Sequence, residues 1–322
     1  MENKPKPFDL DNEADYTAWR DQKLDGYPTC LEELIVEIKD PQQLTPAEFA
    51  ALHERCRKTN MVIYAGPTGS DPDKAIPKSL GRQFGLTELD CNMGADDDGV
   101  TSLKVVEGKW RSGYIPYTNR PIHWHTDGYY NLPERQIYGL QLHCVSAAAS
   151  GGENALLDHE VAYIHLRDAN PDYIRALMDT QAMIIPPNNE NGEQLRPARS
   201  GPVFSVREDG SLHMRYTART RSIEWSPDPV TLAAVETLND FLDSTSDYIY
   251  RATLQPGQGL ISNNVLHDRS GFDEDDEHIR QLYRLRYYQR IADTWITCGS
   301  GVLAAIGFFN NQTAPAKITK HP

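Results

Sequence analysis

His125 and Asp127, separated only by Thr126, together with His267, 142 residues further on, set the strictest condition on how this chain can fold. Residues two apart on an extended backbone share a face. An imidazole and a carboxylate spaced in this way can reach around one ion. A distant histidine closes the same face only if a strand from a remote part of the sequence is laid alongside. Two neutral imidazoles and one carboxylate leave three positions open on a divalent iron, the arrangement of a non-haem Fe(II) site. Thiolates, which would favour zinc or an iron–sulfur cluster, do not flank the motif. A His-x-Asp triplet arises by chance in many chains, so its meaning depends on its company.

That company is cationic. After Val265-Leu266-His267-Asp268-Arg269 come an acidic loop over 273–277 and the run Arg280-Gln281-Leu282-Tyr283-Arg284-Leu285-Arg286. The alternation over 280–288 is strand-like, with Leu285 breaking strict period two. A guanidinium thirteen residues past the last histidine can clamp a dicarboxylate by two parallel hydrogen bonds. A solvated strand face would use the same arginines.

The segments Gly81-Arg82-Gln83-Phe84-Gly85, His125-Thr126-Asp127, Gly151-Gly152-Glu153-Asn154 and His267 with Arg280 and Arg284 occur in this order. Through them, over roughly residues 30–290, the chain resembles the taurine dioxygenase superfamily of Fe(II)/2-oxoglutarate-dependent oxygenases. The runs from His125 to Tyr130, His143-Cys144, Gly151-Gly152 and Leu156-Leu157-Asp158 are most similar to its γ-butyrobetaine and trimethyllysine hydroxylase branch. The resemblance implies that His125, Asp127 and His267 bind iron. It also implies that Arg280 holds the distal carboxylate of 2-oxoglutarate, with Arg284 close to the metal or substrate. Many relatives place a threonine where this chain has Asn154, whose amide can donate the same hydrogen bond. Eukaryotic members of the carnitine branch carry an amino-terminal cysteine-rich zinc module, and no such cluster appears here.

For the substrate, Tyr114, Tyr117, Tyr129 and Tyr130 lie around the metal motif, and the run from Met214 to Arg221 resembles a substrate-facing strand of the same branch. Tyr130, Tyr129, Tyr216 and Arg221 are therefore candidate substrate contacts. Tyrosines can cage a quaternary ammonium or simply pack a barrel mouth, and arginines can hold a carboxylate, sulfonate or phosphonate. His123 falls on the same strand face as His125, where a fourth ligand and a structural hydrogen bond are both open. His143, His213 and His278 have no partner spacing and read as ordinary polar residues.

The implied reaction is hydroxylation of an unactivated C–H bond in a small polar metabolite, whether quaternary ammonium, amino acid or anion. Fe(II), 2-oxoglutarate and O2 are required, and succinate and CO2 are co-products. Asp127 argues against the halogenase variant, which leaves that position vacant for chloride. Desaturation on the same scaffold stays open. A cupin-like non-oxidative metal enzyme would not need Arg280, and a silent scaffold would more readily have lost a ligand, so the intact set speaks against both.

Composition narrows the setting. Five cysteines, odd in number and without Cys-x-x-Cys, indicate a reducing compartment; Cys144, in an apolar strand, reads as a packing residue. A net charge of −14 disfavours a nucleic-acid partner. No apolar run reaches the ~18 to 20 residues of a membrane span, and the start has no apolar signal region. A cytoplasmic enzyme acting on a small molecule is the economical reading, with a homo-oligomer left open. The acid-rich stretches 96–98 and 273–277 read as solvated loops.

Along the chain, residues 1–29 read as an arm, 30–298 as one oxygenase domain and 299–322 as a tail. Helices are expected at Pro46 to Thr59, capped by Thr45, at Ser79 to Leu89, about 160–179 and about 228–243. Strands are expected near 61–64, 103–106, 121–125, 136–146, 154–158, 181–186, 203–206, 212–217, 248–254, 258–262 and 282–290. Strand-rich halves around a helical insert fit a mainly β, α+β fold: a double-stranded β-helix, or jelly-roll barrel, with flanking helices. Stretches 107–117 and 186–202 read as irregular lids.

Overall fold

Period-two burial organises the principal sheet of this protein, seen in a computed structural model that describes residues 6–91, 96, 98–108, 113–190, 193–219 and 223–296. Six strands lie in the order β1 (Ile35–Glu37), β2 (Met61–Ala65), β16 (Gln258–Ser262), β5 (Gly139–Ser146), β19 (Gln281–Tyr287) and β3 (Thr101–Leu103). Only the β1–β2 pairing is parallel. Met61, Ile63, Leu142, Cys144, Leu260 and Leu282 join one core cluster, while Val62, Tyr64, Val145, Ile261, Tyr283, Leu285 and Tyr287 join a second. Both faces are buried, so polar residues cannot mark the period as they do in a half-solvated sheet. Leu285 accordingly keeps the period that the sequence seemed to break: it faces the second cluster.

The second cluster is covered by helix α2 (Pro46–Thr59), through Leu52 and Cys56, and by α3 (Ala75–Gln83), through Leu80. The first is shared with a four-stranded sheet of order β15 (Tyr250–Ala252), β7 (Asn154–Leu157), β17 (Leu266–Arg269) and β4 (Ile122–His125), all antiparallel. It also takes in α1 (Glu13–Leu24), α4 (His159–Ala169), α5 (Pro171–Leu177) and α6 (Pro229–Leu242). Smaller ladders pair β18 (Phe272–Asp273) with β6 (Ser150–Gly151), β12 (Phe204–Val206) with β13 (Leu212–Met214), and β9 (Asn188–Glu190) with β10 (Glu193–Arg196). A last one sets β8 (Met183–Ile185) between β11 (Arg199–Gly201) and β14 (Glu224–Trp225). The architecture is a mixed α and β arrangement of six α-helices and several sheets among the described residues.

Several expected elements move. α2 has the predicted bounds, with Thr45 and Glu48 closing a capping box. α3 starts and stops earlier than expected, because Pro77 is accommodated in its first turns and Gly85 takes φ +76, ending the helix. The helix expected over 160–179 is two: Asn170, extended, ends α4 and caps α5 just before Pro171. The stretch 186–202 is not irregular along its described backbone, since it forms β9, β10 and β11. The tail 299–322 and Cys298 lie outside the described residues.

Residues 13–24, expected in an arm, form a helix whose Tyr16 and Trp19 are buried beside Tyr163. Its Lys23 is fully buried, 2.7 Å from Asp158 Oδ2 and 2.5 Å from Glu160 Oε2. Asn60 Nδ2 donates to Asp158 Oδ1 at 2.8 Å and Tyr27 Oη to Oδ2 at 3.2 Å. Burial opposes the charge on Glu160, but Lys23 and then Arg290 hold its carboxyl below the usual range. Removing one member of such a buried group strands the others. Lys23→Met is therefore expected to lower stability by about 3–5 kcal/mol, read as a fall in the urea midpoint. An unchanged midpoint would show that the two carboxylates do not depend on Lys23.

Candidate active site

Strands β4 and β17 run antiparallel with His125 and His267 directly opposite each other. Their ring centroids are 4.2 Å apart at 48°. Each imidazole is fixed by its own strand: His125 Nδ1 lies 2.9 Å from the His123 carbonyl and His267 Nδ1 2.9 Å from that of Val265. A carbonyl only accepts, so Nδ1 carries the proton and Nε2 presents a lone pair. Burial, and then the neighbouring His267, push His125 down to about 3, keeping its ring neutral. The other edge of β4 is held by the segment after β13. Thr126 N donates to the Tyr216 carbonyl at 3.0 Å, and Ala218 N to that of Trp124 at 2.8 Å.

Asp127 follows the end of β4 and is gripped through its backbone by Asn264. Asn264 Oδ1 accepts from Asp127 N at 2.8 Å, while Nδ2 donates to the carbonyls of Asp127 at 2.9 Å and Ile137 at 2.7 Å. Asn264 itself takes φ 54, a left-handed conformation that asparagine tolerates better than most residues. The Asp127 carboxylate is buried. Its Oδ1 accepts from Arg284 Nη1 at 3.2 Å, with Arg286 Nη1 3.9 Å away, and its Oδ2 has no partner. Burial would raise this carboxyl, yet Arg284 and then Arg286 hold it well below the usual carboxylate range.

Among the described residues no group of three or more His, Cys, Asp or Glu side chains is placed to hold a metal ion as it stands. The donor set is nonetheless suited to a divalent ion: two imidazole Nε2 atoms and one orphaned, charged carboxylate oxygen on adjoining strands. A buried oxygen without a partner is costly, and a bound cation would supply one.

Arg284 and Arg286 share one face of β19 by period two, and Arg280 immediately precedes the strand, whose pairing shifts register between Gln281 and Leu282. Arg286, only 2% exposed, donates from Nη1 to Tyr130 Oη at 2.9 Å and from Nη2 to Asp90 Oδ2. Asp90 also accepts from Tyr288 Oη at 2.6 Å. Arg280 is 5% exposed, and its backbone N–H is held by Glu274 Oε1 at 2.8 Å. Its guanidinium carbon sits 5.0 Å from the Phe272 ring centroid, and the guanidinium makes no hydrogen bond or ion pair to a described residue. A Cβ on Gly152 would stand 3.1 Å from Arg280 Nε, so Gly152 gives this arginine its room. Asn154 lies two residues on, and its Nδ2 already donates to the Asp268 carbonyl at 2.6 Å.

Tyr129 and Tyr130 make an edge-to-face pair at 5.2 Å, with Tyr130 36% exposed. Tyr216 turns elsewhere: its ring is buried in the core and its hydroxyl donates to Asn239 Oδ1 of α6 at 2.8 Å. Arg221 lies outside the described residues. His123 is exposed and contributes its carbonyl to His125. His143 and His213, expected to be ordinary polar residues, are buried; burial pushes His143 down to about 4, where its Nδ1 faces Tyr64 Oη at 3.0 Å. Two residues with clear positions here were not singled out from sequence, Asn264 and Arg286. Arg286 was visible as the next same-face arginine after Arg284. Asn264 carried no signal beyond an Asn-Asn pair ahead of a strand.

A family model described as "Taurine catabolism dioxygenase TauD, TfdA family" matches residues 23–285. A uridine-5'-phosphate dioxygenase from Amycolatopsis sp is 30% identical over 173 residues, covering 51% of this chain and 60% of that protein. The chain thus spans less than two thirds of that relative's length. Among solved structures, the oxygenase OrfP in complex with Fe, succinate and (3R,4R)-dihydroxy-L-Arg is similar with a TM-score of 0.55 at 15% identity, over 77% of this chain and 82% of that one. Asparagine oxygenase in complex with Fe(II), 2S,3S-3-hydroxyasparagine and succinate has a TM-score of 0.54 at 16% identity, over 75% and 79%. At these identities the structural likeness concerns the fold.

Asn264→Gly keeps the left-handed backbone but loses the grip on Asp127. It is expected to weaken Fe(II) binding by about 10- to 100-fold, measured by anaerobic titration, with the far-ultraviolet dichroism unchanged. Wild-type affinity would show that Asn264 does not position the carboxylate.

Proposed function

The chain belongs to the TauD/TfdA dioxygenase family, the match running over residues 23–285, and on that premise we propose which residues carry the reaction. It is a dioxygenase dependent on Fe(II) and 2-oxoglutarate. His125, His267 and Asp127 hold the iron, Arg280 clamps the distal carboxylate of 2-oxoglutarate, and the product is a hydroxylated small polar metabolite. The observation that carries this reading is the cross-strand pair His125–His267, with each Nδ1 committed to a carbonyl, beside the unpartnered Asp127 Oδ2.

Bound iron, with 2-oxoglutarate and O2, supplies the oxidising power to break a C–H bond, with succinate and CO2 as co-products. This chain's residues arrange the reactants. His125 and His267 offer Nε2, and Arg284 anchors Asp127 Oδ1 so that Oδ2 is the free donor. Arg280, desolvated and unpaired among the described residues, is a guanidinium fork awaiting a carboxylate. Asn154 retains its second N–H for the same ligand. In this reading the two main sheets close as a double-stranded β-helix. Residues 30–298 form the oxygenase domain, and the described parts of 107–117 and 186–202 act as lids, residues 109–112 and 191–192 lying outside the described residues.

The substrate lies by Tyr129 and Tyr130. The named relatives act on or hold uridine phosphate, asparagine and arginine derivatives, which supports a small polar substrate here. No described helix is long and apolar enough to cross a membrane, and Cys30, Cys56, Cys91 and Cys144 are free; we place the enzyme in the cytoplasm, and a homo-oligomer is compatible with this reading.

Anaerobic addition of Fe(II) and 2-oxoglutarate to the apo-protein is expected to give the weak metal-to-ligand charge-transfer band in the visible, shifting when substrate is added. Tight metal binding without the band would favour a non-oxidative cupin-like enzyme. His125→Ala and His267→Ala are each expected to abolish iron binding and succinate formation; turnover at the wild-type rate in either would overturn the ligand set. Arg280→Ala is expected chiefly to raise the 2-oxoglutarate requirement. If only substrate affinity changed, the roles of Arg280 and Arg284 would be exchanged.

A further inference from the structure

Phe272 is buried, yet it belongs to neither core cluster. Its ring faces charge instead. The guanidinium carbon of Arg280 lies over the ring, 5.0 Å from its centroid, and that of Arg269 lies over it at 4.9 Å. Both arginines are themselves buried. The ladder of β18 with β6 seats the ring, for Phe272 pairs with Gly151. A Cβ on Gly151 would collide with the Gly271 carbonyl oxygen and stand 3.1 Å from Phe272 Cα, and its φ of +71 favours glycine in any case.

The two arginines are held differently. Arg269 Nη2 donates to the Thr118 carbonyl at 2.8 Å and also to that of Arg120, while Phe272 N donates to the Asn119 carbonyl at 3.1 Å. Three successive carbonyls of the segment leading into β4 are thus bound by Arg269 and Phe272, which anchors this side of the ring. At Arg280 the backbone N–H is fixed by Glu274, and the guanidinium is located by the Phe272 ring and by the space beside Gly152. The ring attracts each cation through its negative face, whereas the two cations repel one another in a desolvated setting. A carboxylate bound by Arg280 removes that repulsion and leaves the attraction.

We propose that Arg269 and Phe272 are positioning residues for the co-substrate: together they set where the Arg280 guanidinium stands, and they favour a 2-oxo acid whose far end is a carboxylate. This deepens the oxygenase reading and rests on it for the role of Arg280. Arg269 and Phe272 act through Arg280 and need not touch the ligand. A merely structural role makes a different demand. If Arg269 served to hold the segment before β4 and nothing more, its loss would act on the iron strand and would treat all 2-oxo acids alike.

The test is anaerobic titration of the full chain, saturated with Fe(II), with 2-oxoglutarate and with 2-oxovalerate, which has the same chain length but ends in a methyl group. Binding is followed by calorimetry and by the charge-transfer band. Phe272→Leu and Arg269→Gln are each expected to weaken 2-oxoglutarate by about three- to tenfold and to leave 2-oxovalerate unchanged, so that the preference for the dicarboxylate shrinks. Arg269→Lys, which keeps the cation, should lose less than Arg269→Gln. The ratio of the two affinities is insensitive to iron loading, which affects both acids alike. Equal weakening of both acids, or an unchanged ratio in both variants, overturns the proposal; if Arg269→Gln does not fold, Phe272→Leu decides by the same comparison. A normal wild-type band with an unchanged ratio in the variants sinks this inference alone. Wild-type protein that shows neither band nor heat with 2-oxoglutarate sinks the oxygenase reading, and this inference with it.

Discussion

The antiparallel pairing of β4 with β17 is the constraint on which the rest depends. It brings two residues far apart in sequence to one rung of a ladder, where the strand fixes both position and orientation of the imidazoles. Ligands on paired strands are held more tightly than ligands on loops. Much of the surrounding structure secures that ladder. The segment through Tyr216 and Thr217 closes one edge, β7 closes the other, and Asn264 ties the turn after β4 to the turn before β17.

Charge is arranged around this ladder with the same economy. The Asp127 carboxylate would be costly to bury alone. Arg284 and Arg286 neutralise it from β19, a strand of the other sheet, so ionisation of Asp127 requires the two sheets to face one another. Arg286 is itself balanced by Asp90, which Tyr288 also supports. Arg280, just before the same strand, is by contrast left without a hydrogen-bond or ion-pair partner for its guanidinium among the described residues. The difference between a spent arginine and an unspent one separates framework from binding group here more clearly than burial does, since all three are largely enclosed.

The candidate residues His125, Asp127 and His267, the arginine strand and most strand positions could be picked out in the sequence because each rests on short-range periodicity or fixed spacing. α2 and α6 were legible through their caps, Thr45 with Glu48 and Asp228 with Pro229. What escaped depends on tertiary context. Leu285 looked out of phase only because the sheet is buried on both sides. Tyr216 looked available because its strand touches the motif, but its hydroxyl is taken by Asn239 of a helix whose position no local pattern reveals. Asn264 acts through a single unusual backbone angle, and α1 reads as a charged arm until Lys23 is seen to be enclosed by Asp158 and Glu160.

The enclosure of Lys23 also bears on the order in which the chain can assemble. Its partner Glu160 is 137 residues away, and β2 finds its neighbour β16 only after most of the polypeptide exists. A chain emerging from the ribosome must therefore carry α1 undocked and one edge of β2 open through much of its synthesis, since β1 can pair only the other edge. Contacts of such long sequence separation slow folding and leave early segments exposed. The net negative charge that says little about the catalytic centre has a part here, keeping incomplete chains apart until the last strands arrive.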